Sequence, residues 1–166
     1  MIKAKSLSAL IVALLLLSVM AIILIFYVEE DLPRLSETVT VMSDGVLEET
    51  FVVDDLTINP GEKRESVIFL KSELDTDFEV TLKFEESFDG GLKPFIDVEV
   101  FSGDERVYIG SLTELLSGQA VEFSEDLSNQ PTLLKIIFKM PVQTGDEAQN
   151  TTASFYIRLK IQKLTV

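Results

Sequence analysis

From residue 38 onward, apolar side chains recur at every second position. Phe78, Val80, Leu82 and Phe84 alternate with Glu79, Thr81 and Lys83. Ile96, Val98 and Val100 alternate with Asp97 and Glu99. Phe155, Ile157, Leu159 and Ile161 alternate with Tyr156, Arg158 and Lys160. A period of two places one set of side chains on a buried face and the other in solvent, so these segments read as half-buried strands. Further strands are expected at 38–42, 49–53, 66–70, 106–109 and 133–139. Turn signals separate them: Ser43-Asp44-Gly45, Asn59-Pro60-Gly61, Asp89-Gly90-Gly91, Ser102-Gly103-Asp104 and Thr144-Gly145-Asp146. One helical turn is expected at 111–116, with Ser111 as N-cap, Glu114 closing a capping box and Gly118 as the stop. Eight or so short strands without alternating helices predict an all-β protein, an antiparallel, jelly-roll-like β-sandwich.

The first 28 residues follow a different pattern. Lys3 and Lys5 precede an uncharged run from Ser6 to Val28 that includes Leu7, Leu14, Leu17, Ile22 and Ile25, and Glu29, Glu30 and Asp31 end it. About 20 apolar residues in a helix span a bilayer core. The flanking lysines favour an N-inside orientation with the remainder outside. The organisation expected is therefore a signal or signal-anchor transmembrane helix at 1–28, an acidic linker carrying Pro33 at 29–37, and a sandwich domain at 38–166. Val19-Met20-Ala21 offers a small-residue cleavage site, whereas the apolar run continuing to Tyr27 suits a retained anchor. Both fates stay open, giving either a membrane protein with an extracytoplasmic domain or a secreted surface protein.

Charge and composition narrow the function. With 14 Lys+Arg against 28 Asp+Glu, the net charge is −14. Such a chain repels nucleic acid, whose phosphates are held by Lys and Arg. Cysteine, histidine and tryptophan are all absent. That removes disulfides, the commonest zinc ligands, the usual general base and the thiol nucleophile. Carboxylate pairs occur at Asp54/Asp55, Asp75/Asp77 and Glu85/Glu86. Glycosidases need two carboxylates converging in a cleft, and nothing in the spacing predicts convergence. Calcium is a partner that acidic loops allow, but no Asp-x-Asp-x-Asp-Gly loop with a distal Glu is present. The expectation is a protein that is not an enzyme, has no cofactor and carries no catalytic or metal residues.

Two stretches carry a family resemblance. The first is Leu56-Thr57-Ile58-Asn59-Pro60-Gly61-Glu62 ahead of the strand at 66–70. The second is Met140-Pro141, then Gly145 to Thr152 with Gln149, then the terminal strand. In this order they resemble the TasA/camelysin family of exported surface and biofilm-matrix proteins, over roughly residues 50–163. The resemblance implies a jelly-roll structural subunit of matrix fibres, or a membrane-anchored accessory of such a system. It also implies a homo-oligomer or a related surface subunit as partner. In fibre-forming members an N-terminal strand completes a neighbour's sheet by β-strand addition. The corresponding segment here is Thr38, Val39, Thr40 and Val41. The chain departs from the family pattern where an Ala-Phe-Phe-(Ser/Thr)-Asp-like segment would stand, having Glu29–Leu35 instead. A pilin-like filament subunit with an apolar N-terminal helix is the alternative.

The charge asymmetry around the apolar run generates a test of topology. Protease added to intact spheroplasts should digest residues 32–166; protection until lysis would reverse the orientation.

Overall fold

The structure is a computed structural model. It describes residues 36–41, 46–72, 74–127 and 131–164. The apolar run with Leu7, Leu14, Leu17, Ile22 and Ile25 lies outside these residues, as do the linker up to Leu35 and the turn at Ser43-Asp44-Gly45. Among the described residues, no helix is long and apolar enough to cross a membrane.

Among the described residues nine strands are seen: β1 (Ser36–Val41), β2 (Val46–Leu56), β3 (Lys63–Ser72), β4 (Asp77–Gly90), β5 (Asp97–Ser102), β6 (Glu105–Ser111), β7 (Val121–Asp126), β8 (Thr132–Lys139) and β9 (Thr152–Lys163). They form two sheets, one ordered β1-β3-β8-β5-β6 and the other β2-β9-β4-β7. The fold is all-β and sandwich-like, as the alternation predicts. One helix, α1 (Leu112–Leu116), follows β6. Ser111 and Glu114 make both hydrogen bonds of the capping box, and Gly118 at φ +107° ends the helix.

Four boundaries and pairings differ from expectation. β1 starts at Ser36, so the last two residues of the expected linker are strand. β1 also pairs in parallel with β3, Ser36 opposite Val67 through Val41 opposite Ser72, in a sheet that is otherwise antiparallel. β7 was not expected: Val121 and Phe123 alternate, but the next inward position is Glu125. The Asp89-Gly90-Gly91 turn is displaced, because β4 continues across a bulge at Glu86/Phe88 and keeps pairing with β9 to Gly90. Gly90 lies so close to Thr152 that an added Cβ would collide with its hydroxyl and its carbonyl oxygen, so only glycine fits.

The inner faces meet across an apolar core. Phe78, Val80, Leu82, Phe84, Ile96, Val98, Phe155, Ile157 and Leu159 are all buried, while Tyr156 is 38% exposed. β9 lies between β2 and β4 and sends Ala153, Phe155, Ile157, Leu159 and Ile161 inward. Phe155 packs against Phe84 in its own sheet, with ring centroids 6.0 Å apart. It also reaches across the sandwich to Phe138 of β8, at 5.6 Å and an interplanar angle of 58°. Tilted aromatic pairs add about 0.5–1.5 kcal/mol beyond their buried area.

Removing this ring leaves a cavity in contact with both sheets. Phe155→Ala should cost about 3–5 kcal/mol and lower the melting temperature by roughly 10 °C or more. Tyr156→Ala, one residue on and facing out, should cost under about 1 kcal/mol. Equal shifts in a thermal melt would overturn the β9 register.

Candidate functional site

The resemblance-bearing residues Pro60, Gly61, Met140 and Pro141 come together. Gly61 N–H donates to the Met140 carbonyl at 2.9 Å, and Met140 N–H donates to the Glu62 carbonyl at 3.1 Å. These bonds extend the β3–β8 ladder beyond its last strand pair, Lys63 opposite Lys139. Gly61 takes φ +85°, a conformation costly for any residue with a Cβ. A Cβ here would also press on Val142 at 3.2 Å. Glu62 holds the turn by accepting from Asn59 N–H at 3.2 Å and Asn59 Nδ2 at 3.0 Å. Those donors, the side chain first, hold the Glu62 carboxyl below its usual value. Gln149 stands apart from this turn. It closes the 3-10 turn Asp146–Ala148, its Nε2 donating to Asp146 Oδ1 at 2.7 Å.

The segment Thr38, Val39, Thr40 and Val41 forms most of β1, at one edge of the five-stranded sheet. Val39 and Val41 are buried, whereas Thr38 is exposed and Thr40 half-buried. Its partner is the far half of β3, Val67–Ser72, away from the Gly61 turn. The segment is paired within its own chain.

Several of the carboxylates singled out in the sequence, Asp54, Glu85, Glu86 and Asp89, have local side-chain or turn partners. Asp54 and Asp55 form a bulge in β2. Ser154 Oγ donates to Asp54 Oδ1 at 2.9 Å and accepts from Asp55 N–H at 3.0 Å. Asp55 has φ 47°, which Asp tolerates better than most residues. Asp89 accepts from Gly91 N–H and pairs with Lys93 at 2.8 Å; Lys93 also reaches Glu86 at 2.6 Å. Hydrogen bonding to Lys93 pulls Asp89 below its usual range.

A feature not found by sequence reading is a groove of about 470 Å³ on the outer face of the four-stranded sheet. Its floor is polar: Glu48 and Thr50 of β2, Arg158 and Lys160 of β9, Thr81 and Lys83 of β4. Arg158 pairs with Glu85 at 2.8 Å, and Gln162 Nε2 donates to Glu79 at 2.6 Å. Its only signal in the sequence is the polar half of each alternating segment, and the register needed to bring those halves together is long-range.

No protein-family model matches the chain, and no curated protein matches it. Among solved structures, the insecticidal delta-endotoxin Cry8Ea1 from Bacillus thuringiensis is similar at 13% identity and a TM-score of 0.41, over 77% of this chain. The chain spans only 26% of the endotoxin chain. PliG, a periplasmic inhibitor of g-type lysozyme from Aeromonas hydrophila, is similar at 13% identity and a TM-score of 0.34, over 76% of this chain and 98% of its own. Neither likeness bears on function.

The Gly61 turn yields a paired test. Gly61→Ala should destabilise by about 1–2 kcal/mol, the cost of a Cβ in left-handed backbone. Because the folded pKa of Glu62 is depressed, its contribution is present above the usual value of 4.5 and is lost as pH falls through the lower, folded value. Melting curves of Glu62→Gln should therefore converge with wild type at acidic pH and separate at neutral pH. A constant gap at all pH values would remove the charge from the account.

Proposed function

We propose that this protein is a non-enzymatic, exported surface protein with a jelly-roll domain: a TasA/camelysin-like structural subunit of matrix fibres, or a membrane-anchored accessory of such a system. The strand order supports the jelly-roll reading. Omitting β1, the sheets run β2-β9-β4-β7 and β3-β8-β5-β6, an eight-strand set with the interleaving of two Greek keys. The N-terminal apolar run with its lysine flank supports export and attachment. The local partners of Asp54 and Asp89 support a structural role for those carboxylates.

The observation that carries the assembly reading is the position of β1. It stands outside the eight-strand set, lies on an open edge, and contributes Val39 and Val41 to the core. A strand of this kind makes the same main-chain and side-chain contacts whether it comes from its own chain or from a neighbour's. The edge of β3 needs such a cover, because an uncovered edge presents unpaired N–H and C=O groups. A net charge of −14 opposes close packing of copies, so assembly by this route strengthens with salt or divalent cations.

Cells producing the full chain should display it at the surface, with an intact mass that retains the leader or has lost it through about Ala21. Loss of only the first few residues would favour a pilin. Deleting Ser36–Val41 from the full chain should abolish fibres in electron micrographs; unchanged fibres would show that β1 is not the joint.

A further inference from the structure

The two outer faces of the sandwich carry opposite charge. On the five-stranded sheet, the alternation and register place Lys63, Lys71, Arg106, Lys135 and Lys139 outward, against Glu65, Asp97 and Glu99. That is five cations to three carboxylates, on a protein with a net charge of −14. Two of the three carboxylates are already neutralised within the face. Glu65 pairs with Lys63 at 2.7 Å, and Glu99 pairs with Lys139 at 2.6 Å. Lys135 lies over the Phe101 ring, 4.9 Å from its centroid. Between these charges the face is apolar: Phe69 is 37% exposed and Ile109 60%.

The outer face of the four-stranded sheet is the reverse. Glu48, Asp77, Glu79, Glu85, Glu122 and Asp126 face outward with Lys83, Arg158 and Lys160, six carboxylates to three cations. This face holds the groove, and apolar side chains stand at both ends of its β2 rim, Val46 and Val52, each more than half exposed.

We infer that these two faces are complementary halves of one interface: the cationic, apolar face of one copy docks on the acidic grooved face of the next. The occupant is a second copy of this chain because both complementary surfaces are on the same sandwich, on opposite sides. A contact between unlike faces is heterologous. Each added copy leaves one free face of each kind, so the arrangement propagates as a stack instead of closing into a dimer. The charges supply register and exclude like-face pairing, since two grooved faces or two cationic faces repel. The inference rests on the assembly reading above but adds a second joint: β1 exchange links edges, this contact links faces into stacks, and a fibre requires both.

The absence of cysteine makes a clean test possible, using the full chain in detergent at no more than one chain per micelle. Val67→Cys marks the five-stranded face and Thr81→Cys the four-stranded face. Under mild oxidation, a mixture of the two single variants should give disulfide-linked dimers, and the double variant a ladder of oligomers. Either single variant alone should give none. Lys71→Glu/Lys135→Glu makes both faces acidic, and Glu79→Lys/Glu122→Lys makes both basic. Placed in the cysteine background, each should reduce cross-linking at least tenfold. Mixing the two should restore it, because acidic then meets basic at every contact. All six substituted positions face outward, and circular dichroism with thermal melts confirms that the variants fold. Cross-linking that is unaffected by the charge reversals, or not restored by mixing, overturns the face contact. If sedimentation still shows oligomers in that case, the assembly reading survives; a chain that sediments as a monomer throughout overturns both.

Discussion

Without a disulfide, the sandwich depends on apolar contact between its two inner faces, and within that contact the rings of Phe155 and Phe138 meet directly across the two sheets. The pair joins β9 of one sheet to β8 of the other, and each of these strands lies inside its sheet. Phe84 backs the same ring from β4. Fixing one residue of β9 fixes all of it, because a slip of one position would send Phe155, Ile157 and Leu159 into solvent and bring Tyr156, Arg158 and Lys160 inside. The pairing of β2 and β4 follows from β9, and so does the composition of the outer face between them. The polar groove is thus a by-product of the core register: its Arg158 and Lys160 are where they are because their neighbours are buried.

The periphery is held by polar contacts. Glu125 on β7 points into the end of the sandwich, where it accepts hydrogen bonds from Ser102 of β5 and Thr132 of β8. This ties the edge strand of one sheet to two strands of the other, beside the buried Val121 and Leu127. Ser154 performs a similar service for the β2 bulge, satisfying the Asp55 N–H that the ladder leaves without a partner. Such contacts contribute about 1 kcal/mol each when made and cost more when half of one is removed. They set where edges lie, not whether the fold forms.

The same distinction explains what could be read from the chain. Alternation is local, so eight of the nine strands and the inward residues of β4, β5 and β9 were legible, as was the capping box at Ser111 and Glu114. β7 was hidden because its third inward residue is the charged Glu125, which breaks the apolar pattern for a reason lying in another sheet. The extension of β4 through Glu85 and Glu86 was hidden because only pairing with β9 keeps that acidic stretch extended. Thr38–Val41 read correctly as strand, but alternation carries no information on direction, and its parallel pairing with β3 could not be foreseen. The meeting of Gly61 with Met140, and the sorting of charges onto two faces, depend on register between distant segments, so neither was visible along the chain.

The place of β9 also bears on the order of events during folding. It is the central partner of β2 and β4, yet it is made after both, and Phe51 waits for Ile157. The four-stranded sheet therefore has no middle until residues 152–163 have left the ribosome. Closing such a long loop before any reward arrives makes folding slow. A chain whose keystone strand is synthesised late stays open while it is being made, with the apolar faces of β2 and β4 uncovered until β9 arrives.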